Sequence, residues 1–173
     1  MRGFDFAKYK RIILIGSPGS GKSWLSKRIA EITGFPLYHL DKEYWQPDWV
    51  LLPRAERIVR EQEFISGEKW IIDGNYNGTM ELRFAPADLV IFLDISRLIC
   101  LLGAAGRTGK KRSDLPDYLK EPPIFNGEFL KFCKYIWEFP KTDRNTIINL
   151  REKYPEKEFL HIKSRREVRN LIK

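Results

Sequence analysis

The chain has 173 residues, 43% hydrophobic and 31% charged, which suits a single globular domain with a real core and excludes a disordered, collagenous or disulfide-framework class. Its formal net charge of +8 is placed unevenly: 13 Lys plus Arg balance 13 Asp plus Glu up to Ser96, and 18 face 10 from Arg97 onward. The basic half suits an anionic partner, whether nucleic acid, a membrane surface or phosphorylated small molecules, or else a solvated basic face.

In chain order, Arg11 to Gly16 is a continuous branched apolar run and reads as a buried parallel strand. Lys22 to Thr33 is a helix with Leu25, Ile29 and Ile32 on one face and Gly34 as its stop. Phe35 to Leu40 is a second strand. Pro53 opens a helix whose stripe is Ala55, Ile58, Val59 and Ile65, and Gly67 ends it. Trp70 to Asp73 and Asp88 to Asp94 are the third and fourth strands. Ser96 to about Gly106 is helical despite two glycines. Arg107 to Pro123 is polar, basic and aperiodic, and reads as a loop or lid. Asn126 to Trp137 is amphipathic on Phe129, Cys133 and Ile136. Glu158 to Ile162 is a fifth strand, and Ser164 with Glu167 forms a capping box for a last helix that buries Val168, Leu171 and Ile172. Strands alternating with helices predict one doubly wound α/β domain over 1–173. Cys100 and Cys133 sit in apolar stretches and read as core residues in a reducing compartment. The N-terminus has no apolar signal core, and the run Leu98 to Ala105 is too short for a membrane span, so a cytoplasmic location is expected.

Gly16 to Ser23 reads GSPGSGKS and matches G-x-x-x-x-G-K-[ST] at every fixed position, between a buried strand and an amphipathic helix. Glycines at 16, 19 and 21 allow backbone N–H groups to close on phosphate oxygens, and the helix start adds its positive end. Lys22 is expected on the β- and γ-phosphates and the Ser23 hydroxyl on Mg²⁺, with ATP as the nucleotide. The nucleotide-binding stretch is Gly16, Ser17, Pro18, Gly19, Ser20, Gly21, Lys22, Ser23 and Trp24.

Beyond this loop, His39-Leu-Asp-Lys-Glu-Tyr-Trp45, Asp73-Gly-Asn-Tyr76 and the stretch Arg83 to Asp94 resemble adenylate-kinase-like small-molecule kinases. The nearer match is the bacterial group called DNA topology modulation proteins. The resemblance runs from Arg11 to Ile172 and is weakest from Arg107 to Asn126. Trp24 departs from it, where the family has Thr. It implies a five-stranded parallel sheet in the order 2-3-1-4-5 and a mobile lid. By the same resemblance, Asp41 orients or deprotonates an acceptor, and Lys163, Ser164 and Arg165 lie where the adenine sits, with Arg165 able to stack on it.

The remaining residues read as follows. Asp41 ends the second strand, where ligands of open α/β sheets bind, and serves an acceptor or caps a turn. Asp73 ends the third strand and serves Mg²⁺ beside Ser23, or belongs to a polar turn. Gly74 admits a substrate, Asn75, Tyr76 and Asn77 bond or stack on it, Tyr44, Trp45 and Trp49 line its pocket or cover the sheet edge, and Arg83 contacts it or faces solvent. His39 is structural or lines the substrate. Asp94 caps the following helix. Arg107, Lys110, Lys111 and Arg112 form a lid cluster, with Arg107 and Arg112 as catalytic cations or a solvated face. The reading is an ATP- and Mg²⁺-dependent phosphoryl transfer to a small-molecule hydroxyl or phosphate. Its rivals are a nucleotide-dependent regulator or slow NTPase that binds DNA through the basic half, weakly and without sequence preference, and a nucleotide sensor with no acceptor.

Overall fold

The computed structural model describes residues 4–107, 113–119 and 127–172. Five strands form one parallel sheet: β1 (Arg11–Gly16), β2 (Leu37–His39), β5 (Trp70–Asp73), β6 (Leu89–Leu93) and β7 (Glu158–Ile162), in the spatial order β2-β5-β1-β6-β7. Taking these five strands in chain order, this is the expected order 2-3-1-4-5. A separate two-stranded antiparallel hairpin pairs β3 (Trp45–Gln46) with β4 (Val50–Leu51).

β1 is central because both its faces are apolar. Ile12 and Leu14 join the core with α1 (Lys22–Thr33), α5 (Arg97–Ala105) and α8 (Arg165–Leu171), while Ile13 and Ile15 join the other with α2 (Leu40–Tyr44), α4 (Met80–Phe84) and α7 (Asp143–Lys153). All four side chains are wholly buried, as a doubly covered parallel strand requires. α1 starts at Gly21 and stops at Gly34, whose N–H bonds the Ala30 carbonyl at 2.8 Å in a left-handed cap. In α8 the expected capping box forms: Ser164 accepts from the Glu167 N–H at 3.2 Å, and the Glu167 carboxylate accepts from the Lys163 N–H at 3.0 Å.

Helix α3 (Arg54–Ile65) corrects the sequence reading. Its inner face is Arg57, Ile58, Glu61, Phe64 and Ile65, whereas Ala55 and Val59 face solvent. The buried member is the charged Glu61, which has partners waiting below. Asp94 does not cap α5. Its carboxylate accepts from Arg144 Nε at 2.9 Å and faces His161 Nε2 at 2.8 Å, while Ser96 stands at the cap. Cys133 is only half-buried on α6 (Gly127–Glu138), and Cys100 alone is core. Among the described residues no helix is long and apolar enough to cross a membrane.

Candidate active site

The carboxyl ends of β1, β2 and β5 meet at one cavity of about 880 Å³. Register puts them there: Leu14 and His39 both pair with Asp73, so the residues that follow each strand emerge side by side. The cavity is lined by Pro18, Lys22 and Ser23 of the phosphate loop, by the polar side chains of His39, Asp41, Asp73 and Tyr76, and by an aromatic wall of Trp45, Trp49, Phe129, Phe132 and Tyr135.

The loop after β1 turns away from the sheet at Gly16, with φ +145°. A Cβ on Gly19 would overlap the Cys100 carbonyl, and one on Gly103 would overlap the Gly19 carbonyl, so α5 packs directly on the loop's outer side. On Gly21 a Cβ would meet nothing within 4 Å, and the concave side there is open. The Lys22 ammonium donates to the carbonyls of Gly16 at 2.7 Å and Ser17 at 3.1 Å. Burial pushes the Lys22 pKa down, against the carboxylates of Asp73 and Asp41 and together with the nearby Arg107. Ser20 Oγ is buried without a partner among the described residues, an orphaned group that a phosphate oxygen would satisfy.

Asp73 is 4% exposed. Its Oδ2 faces His39 Nδ1 at 3.0 Å and accepts from Ser26 Oγ at 3.4 Å, so both recorded contacts fall on one oxygen. His39 is therefore a positioner of Asp73 as well as part of the wall. The donor set suits a hard cation: one carboxylate oxygen and the Ser23 hydroxyl, completed by phosphate oxygens. No group of three or more His, Cys, Asp or Glu among the described residues could hold a metal unaided.

Arg83 and Tyr44 are braces and do not line the cavity, whereas Asn75 lines it and also braces the loop. Asn75 is 9% exposed and brackets Gly16, accepting from its N–H at 2.9 Å and donating to its carbonyl at 2.8 Å. This pins the first residue of the phosphate loop to the end of β5. Arg83 is wholly buried and cannot reach an acceptor. Its guanidinium donates to Glu61 Oε1 at 2.8 Å, to the Gly74 carbonyl at 3.1 Å and to the Asn75 carbonyl. Tyr44 is also wholly buried, with its hydroxyl on Glu61 Oε2 at 2.7 Å, and does not line the cavity. Burial and Glu61 push the Tyr44 pKa up. Gly74 is required where it is, since at φ +146° a Cβ would lie 2.8 Å from Leu40 Cβ.

Asp41 and Tyr76 are brought together: the Tyr76 hydroxyl donates to Asp41 Oδ1 at 2.7 Å. Burial and that carboxylate hold the phenol protonated far above its ordinary range. Sequence reasoning missed Asp143 and Tyr135. Asp143 is 6% exposed at the first turn of α7 and accepts from both Tyr135 and Asn77, which fixes the polar edge of the aromatic wall. Only the acid at a helix start hinted at it.

Arg107 lines the cavity near Lys22. Lys110, Lys111 and Arg112 lie outside the described residues, as does much of the expected lid. The part from 113 to 119 makes turns, and Tyr118 donates to the Trp45 carbonyl at 2.8 Å. Arg165 sits outside the loop, 3.4 Å from the carbonyls of Gly19 and Ile99. Trp24 is 45% exposed and is no part of the cavity wall.

No family model and no curated protein matches the chain. Solved structures do. Shikimate kinase from Acinetobacter baumannii in complex with shikimate is similar at a TM-score of 0.63 and 13% identity, over 96% of this chain and 93% of that one. Deoxyadenosine kinase from M. mycoides with bound dCTP is similar at a TM-score of 0.54 and 12% identity, over 94% and 96%. The same enzyme with the products dCMP and a flexible dCDP gives 0.53 and 13%, over 94% of each chain. At such identities the likeness is one of fold, and this chain has the P-loop kinase fold.

Proposed function

We propose that the protein transfers the γ-phosphoryl group of ATP to the hydroxyl of a small molecule. The observation that carries this reading is that Lys22, Ser23, Asp73 and Asp41 all line one cavity of about 880 Å³, large enough for a second molecule beside the phosphate loop. In the reaction the acceptor oxygen bonds to the γ-phosphorus, the bond to the bridging oxygen breaks, and ADP leaves. Asp41 takes the hydroxyl proton and Lys22 neutralises charge on the phosphates. Ser23 and Asp73 would hold Mg²⁺, which would supply charge neutralisation at the phosphates. Asn75 keeps the loop in place, and the Arg107 cation adds to the field at the transferred group. Kinship with the DNA topology modulation group rests on the segments His39 to Trp45 and Asp73 to Tyr76. A cytoplasmic setting fits the two free thiols, Cys100 and Cys133.

The test is ligand-induced stabilisation. Millimolar ATP with Mg²⁺ should raise Tm, because a ligand bound only by the native state stabilises it by mass action, and Lys22→Ala should remove most of the shift. An unchanged Tm in the wild type removes the nucleotide reading.

A further inference from the structure

Resting on that reading, we infer that the acceptor is a neutral, hydroxyl-bearing molecule with a flat aromatic ring: a nucleoside, not a nucleotide or a carboxylated polyol.

An acceptor with a phosphate or carboxylate needs a fixed cation, most effectively an Arg fork. The Arg that follows the Asp73 to Tyr76 segment is Arg83, and it is wholly buried, with its guanidinium on Glu61 and two backbone carbonyls. Among the described residues the cavity is lined by three cations. Lys22 lies in the phosphate loop, and Arg107 is near enough to lower its pKa. Lys131 is at the rim, its side chain 76% exposed and paired with Glu128 at 2.7 Å. Among the described residues no further Lys or Arg lines the cavity, and Asp48 adds a carboxylate to it.

What the wall contains is aromatic surface. Trp45, Trp49, Tyr76, Phe129, Phe132 and Tyr135 all face the cavity. Trp45 and Trp49 meet edge to face, with centroids 5.5 Å apart at 72°, and so form a corner: one ring offers its face while the other closes the end. This corner is held against backbone preference. Asp48 and Trp49 have φ of +59° and +57°, two successive left-handed residues neither of which is Gly, in the turn of the β3–β4 hairpin. Such strain is concentrated at functional sites, where surrounding contacts enforce it. Here the Tyr118 hydroxyl holds the Trp45 carbonyl from the neighbouring segment. A planar ring stacked on the open face of one of these indoles shares the cavity with Asp41, Tyr76 and the phosphate loop, so that a hydroxyl of its sugar can turn toward them.

The experiment uses the whole chain with saturating ATP and Mg²⁺ and reads ADP release. Adenosine, guanosine, cytidine and thymidine are compared with their 5′-monophosphates and with shikimate. At least one nucleoside should raise release about tenfold or more above the rate without acceptor, while the monophosphates and shikimate leave it there. Trp49 is 39% exposed, so Trp49→Ala can be made without opening the core. It should raise the nucleoside KM about tenfold or more, the loss expected for a base that stacks, and Trp49→Phe should restore most of it. A monophosphate or shikimate faster than every nucleoside overturns the inference, as does an unchanged KM in Trp49→Ala. Four inert nucleosides with an intact ATP-induced Tm shift overturn the acceptor class alone. An absent shift overturns the kinase reading beneath it.

Discussion

Arg83→Met tests the brace behind the site. Arg83 and Glu61 are each 0% exposed and meet at 2.8 Å. Removing one partner of a buried ion pair costs about 3–5 kcal/mol, because the other charge is left without compensation. The Gly74 and Asn75 carbonyls also lose a donor, at about 1–3 kcal/mol each if no water replaces it. Against this, Arg83 Nε has no partner among the described residues, so its removal relieves one orphaned group of similar cost. The expected net loss is about 6 kcal/mol, which for a chain of this length lowers Tm by roughly 15 °C. Urea unfolding followed by fluorescence gives the free energy, and an unchanged slope checks that the variant remains two-state. Glu61→Gln/Arg83→Met, which removes both charges, should lose at least about 1 kcal/mol less than the sum of the single variants. A single-variant loss under about 1 kcal/mol, or simple additivity in the pair, refutes the buried-pair account and returns Arg83 to the list of acceptor contacts.

The remaining predictions use the same geometry. Tyr44, Tyr76 and Tyr135 have pKa values raised by burial and by Glu61, Asp41 and Asp143. Their stability contribution is complete below the unfolded tyrosine pKa of about 10 and is lost above it, because only the unfolded chain releases those protons, with a combined slope approaching about 4 kcal/mol per pH unit. Lys22, whose pKa is lowered in the fold, has the opposite sign and gains stability up to about pH 10.4, so urea midpoints should hold to about pH 10 and then fall steeply; a flat profile to pH 11 would contradict the phenol burial. Gly103→Ala should destabilise the protein and weaken ATP binding, although Ala gains roughly 1 kcal/mol of helix propensity, because its Cβ overlaps the Gly19 carbonyl. Gly106→Ala, whose nearest contact would be the Leu102 carbonyl at 3.4 Å, should be neutral or stabilising, and equal effects from the two would dismiss the contact between α5 and the loop.

The phosphate loop was legible because its geometry is local: strand, glycines and helix follow one another within Arg11 to Thr33. The three inner strands, β1, β5 and β6, were legible because a strand covered on both faces must be almost continuously apolar. The stripe of α3 was misread because hydrophobicity favoured Val59 over Glu61. Glu61 is buried only because Arg83, 22 residues later, and Tyr44, 17 residues earlier, neutralise and bond it. Arg83 looked like a substrate contact for the converse reason. A motif marks residues that a site needs, without separating those that touch a ligand from those that hold the loop. Helix α7 escaped notice because only Asp143, Ile147 and Leu150 of its residues are buried, too few for a visible period. The Trp45–Trp49 corner was named as residues, but its shape depends on backbone angles at Asp48 and Trp49 that no residue preference indicates.

In the proposed reaction the two carboxylates would divide the chemistry, and their environments differ in the way that division needs. Asp73 is buried among fixed partners, with Oδ2 bound to His39 and Ser26, so it cannot swing, and a carboxylate that cannot swing suits a metal shared with Ser23. Asp41 follows β2 on α2, 2.7 Å from a phenol that donates to one of its oxygens. That bond orients the carboxylate without supplying a proton, since burial holds the phenol protonated at any working pH. An acceptor hydroxyl is a weak nucleophile until it is aligned and relieved of its proton, and Asp41 is placed to do both. Asp41→Asn keeps the shape and still accepts from Tyr76. It should leave ATP affinity within a factor of about 3 and cut acceptor-dependent turnover by a factor on the order of 100 or more. Tyr76→Phe should lower turnover less and move the acid limb of its pH profile upward, because a carboxylate that loses a donor binds its proton more tightly. Asp73→Asn should instead raise the Mg²⁺ concentration needed for both binding and turnover. Normal turnover in Asp41→Asn reduces Asp41 to a turn residue, and loss of ATP affinity in that variant, with unaltered Mg²⁺ dependence in Asp73→Asn, reverses the two assignments.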